Sequence, residues 1–124
     1  MKFFVCAHCG NLITYLHASG VQAVCCGDKM QELTPNTVDA AREKHLPVLS
    51  ASGETVTVKV GAVEHPMAEE HHIEWIILET KQGYQKKDLK PGEKPEAAFA
   101  LTAGDEAVAA YAYCNLHGLW KADF

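Results

Sequence analysis

Cys114 and His117 stand three positions apart in Tyr113-Cys-Asn-Leu-His-Gly118, which puts a thiol and an imidazole on one short segment. Three further histidines, His45, His65 and His71, lie upstream beside residues that favour turns and strand ends. A thiolate with several imidazoles is a transition-metal ligand set that iron, copper and zinc all accept. Four other cysteines stand near the N-terminus, as Cys6-Ala-His-Cys9 and Cys25-Cys26. Two metal sites of different chemistry are therefore expected, and the second has too many nitrogen donors for a plain structural zinc.

The cysteine group is a four-thiolate set. The two-residue spacer between Cys6 and Cys9 lets a tight turn aim two sulfurs at one ion, and Gly10 frees backbone amides to face them. Cys25 and Cys26 are less usual. Neighbouring side chains on a strand point to opposite faces, so the pair shares an ion only if the backbone kinks there. Four thiolates do not distinguish iron from zinc. His8, His17 and His72 are read as ordinary surface or packing residues.

The elements that must position these groups follow from periodicity. Residues 1 to 36 contain four of the five cysteines and few large aliphatics, too little apolar surface to fold unaided. Metal ligation would supply the missing stability. Leu33–Asp39, with Pro35 and Asn36, reads as a linker. Ala40–Glu43 is expected to add a helical turn that ends on approach to Pro47.

From Val48 onward the period is two. Val56, Val58 and Val60 alternate with polar residues, and Ser52-Gly53 and Gln82-Gly83 read as hairpin turns. Ile73, Trp75 and Ile77 are assigned one face of the next strand, with His71 on the same face at its start. Ile76 and Leu78 fall on the other, so that side is a candidate for contact with a second sheet or subunit. Ala97, Phe99 and Leu101, then Val108, Ala110 and Ala112, continue the alternation. The fold class expected is mainly β, an antiparallel sandwich. Loops at one end of a sandwich commonly converge on a site.

Composition narrows the function further. A net charge of -5 speaks against nucleic acid as a partner. It also requires a local basic group to collect any anionic substrate. No apolar run is long enough to span a membrane as a helix. An odd number of cysteines argues against a disulfide framework. The opening Met1-Lys-Phe-Phe-Val-Cys6 is too short for a signal peptide, and the chain is read as cytoplasmic.

Taken together, these motifs give a specific resemblance. The chain resembles the desulfoferrodoxins, the two-iron class of superoxide reductase of anaerobic and microaerophilic prokaryotes. The matching stretches are the cysteine pattern, Asn36–Ala41, Glu43-Lys44-His45, His65-Pro66-Met67, the spacing from His65 to His71, Ile73-Glu-Trp75, and Cys114–Gly118 with Trp120-Lys121. His72 departs from the pattern, where relatives often carry an aromatic residue, without disturbing a matched ligand.

The resemblance implies two non-haem irons per chain. Cys6, Cys9, Cys25 and Cys26 would hold a rubredoxin-like iron in a desulforedoxin-like domain, residues 1–36. An immunoglobulin-like sandwich, residues 37–124, would hold the catalytic iron through equatorial His45, His65, His71 and His117 and axial Cys114. The activity implied is one-electron reduction of superoxide to hydrogen peroxide at the ferrous iron. Lys44 would attract superoxide and orient a proton-donating water, and Glu43 would take the open position after oxidation. A homodimer and a rubredoxin as electron donor are also implied. One-iron relatives lack the first domain, so it is expected not to be essential for the chemistry.

Two other readings compete. A cupredoxin-like copper protein shares the sandwich and the Cys-x-x-His turn, but Gly118–Lys121 offers no axial methionine and two histidines are left over. A zinc-ribbon adaptor explains the N-terminal cysteines and leaves Cys114 and the histidines as coincidence.

Overall fold

The computed structural model describes residues 1–124, which divide into two compact units, Met1–Thr34 and Pro35–Phe124. In the first, β1 (Phe3–Val5) lies between β2 (Leu12–Ile13) and β5 (Gln31–Leu33), and β3 (Val24–Cys25) pairs with β4 (Asp28–Lys29). Its core is Phe4, Cys6 and Met30, edged by Ile13, Tyr15, Ala23 and Cys25. Two of these seven are cysteines of the candidate ligand set. A core this small leaves much of the stabilisation to a bound ion.

Pro35 and Asn36 are not a free linker. Asn36 takes a positive φ of 64°, and its side chain exchanges two hydrogen bonds with the Lys121 backbone, at 2.8 and 3.0 Å. That pairing ties residue 36 to the second unit. The helical turn, α1 (Arg42–His45), also starts two residues later than periodicity suggests. It stops where expected. Leu46 donates to the Arg42 carbonyl and turns extended ahead of Pro47, because proline disfavours helical backbone before it.

The second unit is an antiparallel, immunoglobulin-like sandwich. One sheet orders β10 (Glu96–Ala100), β7 (Thr55–Val60) and β6 (Pro47–Ser52). The other orders β12 (Gly118–Asp123), β11 (Ala107–Cys114), β8 (Ile73–Thr80) and β9 (Gly83–Asp88). Val56, Val58, Val60, Ala97 and Phe99 face Ile73, Ile76, Leu78, Ala110, Ala112 and Cys114 across the core. No helix is long and apolar enough to cross a membrane.

Two register shifts overturn face assignments made from parity. Cys114 pairs with Ile73 and Tyr113 with Trp75, so Glu74 is an extra residue in β8. A bulge switches faces. It sends Ile73 inward with Ile76 and Leu78, away from the face of Trp75. Ile76 and Leu78 are fully buried against the second sheet, the first of the two contacts expected of that face, and are not offered to a second subunit. At the other end, Ala107 and Ala109 pair with consecutive residues, so Val108 bulges out and is exposed. The hairpin loops also sit one residue off the expected pairs, at Gly53-Glu54 and Lys81-Gln82.

Candidate metal centres

In the small unit all four cysteines are free thiols, and their sulfurs lie within 4.8 Å of one another. The Cys9 and Cys25 sulfurs are 3.6 Å apart, and those of Cys25 and Cys26 are 4.0 Å apart. A tetrahedral ion with metal–sulfur bonds of about 2.3 Å sets its sulfurs about 3.8 Å apart. The spacing therefore fits one ion and excludes disulfides, whose sulfurs touch at about 2.05 Å.

The kink demanded of the adjacent pair is present. Cys26 and Gly27 form the two-residue loop between β3 and β4 with φ of 52° and 81°. Two positive φ values are the signature of a type I′ hairpin. The Cys9 amide donates to the Cys6 sulfur at 3.4 Å, the first reason that this thiol is held down to about 6. Hydrogen bonding to its neighbours, Cys9 first, pushes Cys26 up to about 12. Cys6 ionises readily, whereas Cys25 and Cys26, both pushed up by hydrogen bonding to Cys9 first, need a cation to do so.

The second centre is assembled at one end of the sandwich. His45 ends α1, His65 follows the turn after β7, and His71 precedes β8. Cys114 ends β11, and His117 sits in the three-residue loop to Gly118, whose φ of 72° closes the hairpin. The bulge at Glu74 accounts for His71, since parity with Trp75 would have turned it away.

Four imidazoles form a ring. Centroids of successive pairs, His45–His65, His65–His71, His71–His117 and His117–His45, are 4.6, 4.6, 5.0 and 4.9 Å apart, each nearly edge-on to the next. His45 and His71 face each other across it at 6.3 Å. His45 Nε2 is 3.1 Å from both His65 Nε2 and His117 Nδ1. Metal–nitrogen bonds of about 2.1 Å at right angles give about 3.0 Å. The Cys114 sulfur, fully buried, is 3.8 Å from His117 Nδ1.

The protonation of the rings suits a cation. Burial lowers His45, His65 and His71, with His65 down to about 4, so these rings are neutral and hold a lone pair. The Nδ1–H of His45 donates to Ala41 O and that of His65 to Pro66 O, both at 2.7 Å. Such bonds fix Nε2 as the free nitrogen. His71 Nε2 is buried with no hydrogen-bond partner, an expensive state unless a cation takes the lone pair. Burial pushes the Cys114 thiol up, so it too needs a cation to ionise. The donor set fits a metal with one thiolate and four imidazoles.

Glu43 and Lys44 are exposed on α1 beside His45, and neither side chain makes a hydrogen bond or ion pair. His8 pairs with Asp28, His17 is exposed, and His72 faces the Ala68 and Glu69 carbonyls, all outside the ligand clusters. The Met67 sulfur accepts the Ile73 amide, so it is not a spare axial ligand of the cupredoxin kind. Trp120 stacks on His45, and Asn115 binds the backbone around His71. Sequence reasoning gave neither residue a role, and only their place in the matched stretches marked them.

The desulfoferrodoxin family model matches residues 37–123. A desulfoferrodoxin of Nitratidesulfovibrio vulgaris is 48% identical over 122 residues, 98% of this chain and 95% of that protein. A desulfoferrodoxin homolog of Archaeoglobus fulgidus is 45% identical over 98% of this chain and 96% of its own. The crystal structure of a superoxide reductase from Treponema pallidum superposes with a TM-score of 0.83 at 42% identity, covering 98% of both chains. A superoxide reductase (1Fe-SOR) from Giardia intestinalis gives 0.57 at 34% identity, over 66% of this chain and 97% of that one.

Proposed function

This chain belongs to the desulfoferrodoxin family, and from that premise we propose that it is a superoxide reductase with two non-haem irons. The observation that carries the reading is the orphaned, buried Nε2 of His71 in a ring of four imidazoles beside the buried Cys114. Cys6, Cys9, Cys25 and Cys26 would hold one iron in the small unit, Met1–Thr34. His45, His65, His71, His117 and Cys114 would hold the other in the catalytic unit, Pro35–Phe124. When bound, ferrous iron at the second site supplies one electron to superoxide, and two protons complete hydrogen peroxide.

The residues around the second centre divide the remaining work. These five donors would hold an iron and leave it able to take one further small anion. Lys44, exposed beside His45 and without an ion-pair partner, gives the local positive charge that an acidic chain otherwise lacks. Its ammonium also orients the water that delivers a proton. The Glu43 side chain has no hydrogen-bond or ion-pair partner, so its carboxylate would be free to reach the ion after turnover. The buried Cys114 would, as a thiolate, place electron density on a bound iron.

Five free thiols support a reducing, cytoplasmic setting. The exposed apolar side chains Leu16, Val21 and Val24 on the small unit support a homodimer. A rubredoxin is proposed as electron donor on family resemblance.

The test is metal content with a visible spectrum before and after mild reduction, then superoxide consumption against peroxide formed. Two irons, two separately bleaching bands and peroxide without dioxygen release support the reading. A single zinc and a colourless solution that ferrous iron does not convert would overturn it.

A further inference from the structure

We propose that Asn115 is the positioning residue for His71, its carboxamide continuing the β8–β11 pairing past the last strand pair. The inference rests on the second centre being a metal site.

The β8–β11 ladder ends at the pair Ile73 and Cys114. Beyond it, residues 70–72 run beside Asn115. Three hydrogen bonds join them. The Asn115 amide donates to His72 O at 3.1 Å, the His72 amide donates to Asn115 Oδ1 at 2.9 Å, and Asn115 Nδ2 donates to Glu70 O at 3.1 Å. They bracket His71 on both sides. A carboxamide carries the same donor and acceptor as a peptide, so the side chain extends the ladder by one step where backbone pairing fails.

His71 depends on this more than His45 and His65 do. His45 and His65 have rings tethered through Nδ1 to main-chain carbonyls. The ring of His71 has no such tether, and its Nε2 is the unpartnered buried atom. No hydrogen bond holds the ring, so its direction is set by its main chain and by packing against the His65 and His117 rings. The bonds between Ala68 and His71, at 3.0 and 3.2 Å, close that main chain on itself. Asn115 is what registers it against the strand carrying Cys114, the residue immediately before.

The test is a cobalt(II) titration of the full-length protein, with the four-cysteine site first filled by one equivalent of zinc. The thiolate-to-cobalt band then reports Cys114. Loss of an outer-shell partner typically costs about 10–100-fold in metal affinity, and Asn115→Ala is expected to fall in that range. In a His71→Ala background the same substitution should cost less than about two-fold, because the ligand it positions is gone. Unchanged affinity in Asn115→Ala, or an equal loss in both backgrounds, overturns the proposal. Asn115→Asp keeps the Oδ1 acceptor and loses the Nδ2 donor. It should show a smaller loss that again vanishes without His71, and it serves if the alanine variant does not fold. Wild-type affinity in Asn115→Asp also overturns the proposal. A wild-type protein that develops no thiolate-to-cobalt band overturns the metal-site reading itself, and the proposal with it.

Discussion

Trp120 lies against His45 with ring centroids 4.8 Å apart and planes 30° from parallel. Its indole N–H donates to the His117 carbonyl at 3.1 Å. One buried side chain thus braces two neighbouring imidazoles, one by stacking and one through the main chain. Trp120→Phe keeps the aromatic face and leaves the carbonyl unpaired, a cost of about 1–3 kcal/mol. Trp120→Ala also opens a cavity, and about 3–5 kcal/mol is expected. Urea unfolding of the metal-free protein, read by emission from Trp75, separates the two. Equal costs would mean that the stack contributes nothing.

Lys44 and Glu43 share one exposed turn and bear opposite charges, so each has a distinct signature. Lys44→Ala should slow superoxide capture by up to about ten-fold at low salt, with the gap closing as salt rises. Glu43→Ala should leave capture intact, because removing a negative charge does not repel an anion. Stopped-flow or pulse-radiolysis rates across ionic strengths decide this. A Lys44→Ala rate equal to wild type at every salt concentration would remove the steering role.

Residue type and spacing made the two groups of donors legible, since thiols and imidazoles carry their chemistry with them. Period two gave the sandwich, because Val56, Val58, Val60 and Phe99 each need one dry face. Parity failed at Glu74 and Val108, where a single extra residue reverses the faces and composition leaves no mark. The edge strand β9 was not read at all. Its sequence, Gly-Tyr-Gln-Lys-Lys-Asp, is almost wholly exposed and lacks apolar alternation. Trp120 and Asn115 escaped for another reason: the partners that give them a role are distant in sequence, His72 and Glu70 for Asn115 and His45 for Trp120.

Gly61 supports the Glu43–Lys44 turn from beneath. A Cβ placed on it would lie 2.6 Å from Glu43 O and 2.9 Å from the Lys44 carbonyl carbon. Both are backbone atoms of a segment that Val63 also pins, its amide donating to Glu43 O at 2.9 Å. The contact cannot be relieved by turning a side chain. Gly61→Ala should cost about 1–3 kcal/mol, as overpacking does, and should weaken metal at the His45 centre. The four-cysteine centre should be untouched. Separate absorption bands for the two metals make the comparison within one sample, and an equal effect on both would refute it.

The metal-free protein should lose stability in mild acid, and His65 sets the window. Burial holds its imidazole down to about 4, against about 6.5 for an unperturbed histidine. Above pH 6.5 the ring is neutral in both the folded and unfolded chain, so it contributes no pH dependence. Between about 6.5 and 4 the unfolded ring binds a proton that the folded ring refuses. Stability must then fall as pH falls through that interval, and level off below it. Burial lowers His45 and His71 in the same direction, which steepens the slope. His65→Gln removes one proton-binding ring from the unfolded chain, so its profile should be flatter than that of wild type. Both tryptophans, Trp75 and Trp120, belong to the second unit. Their emission during thermal unfolding at several pH values therefore follows this unit alone, and parallel profiles for the two proteins would exclude His65 as a source of the acid sensitivity.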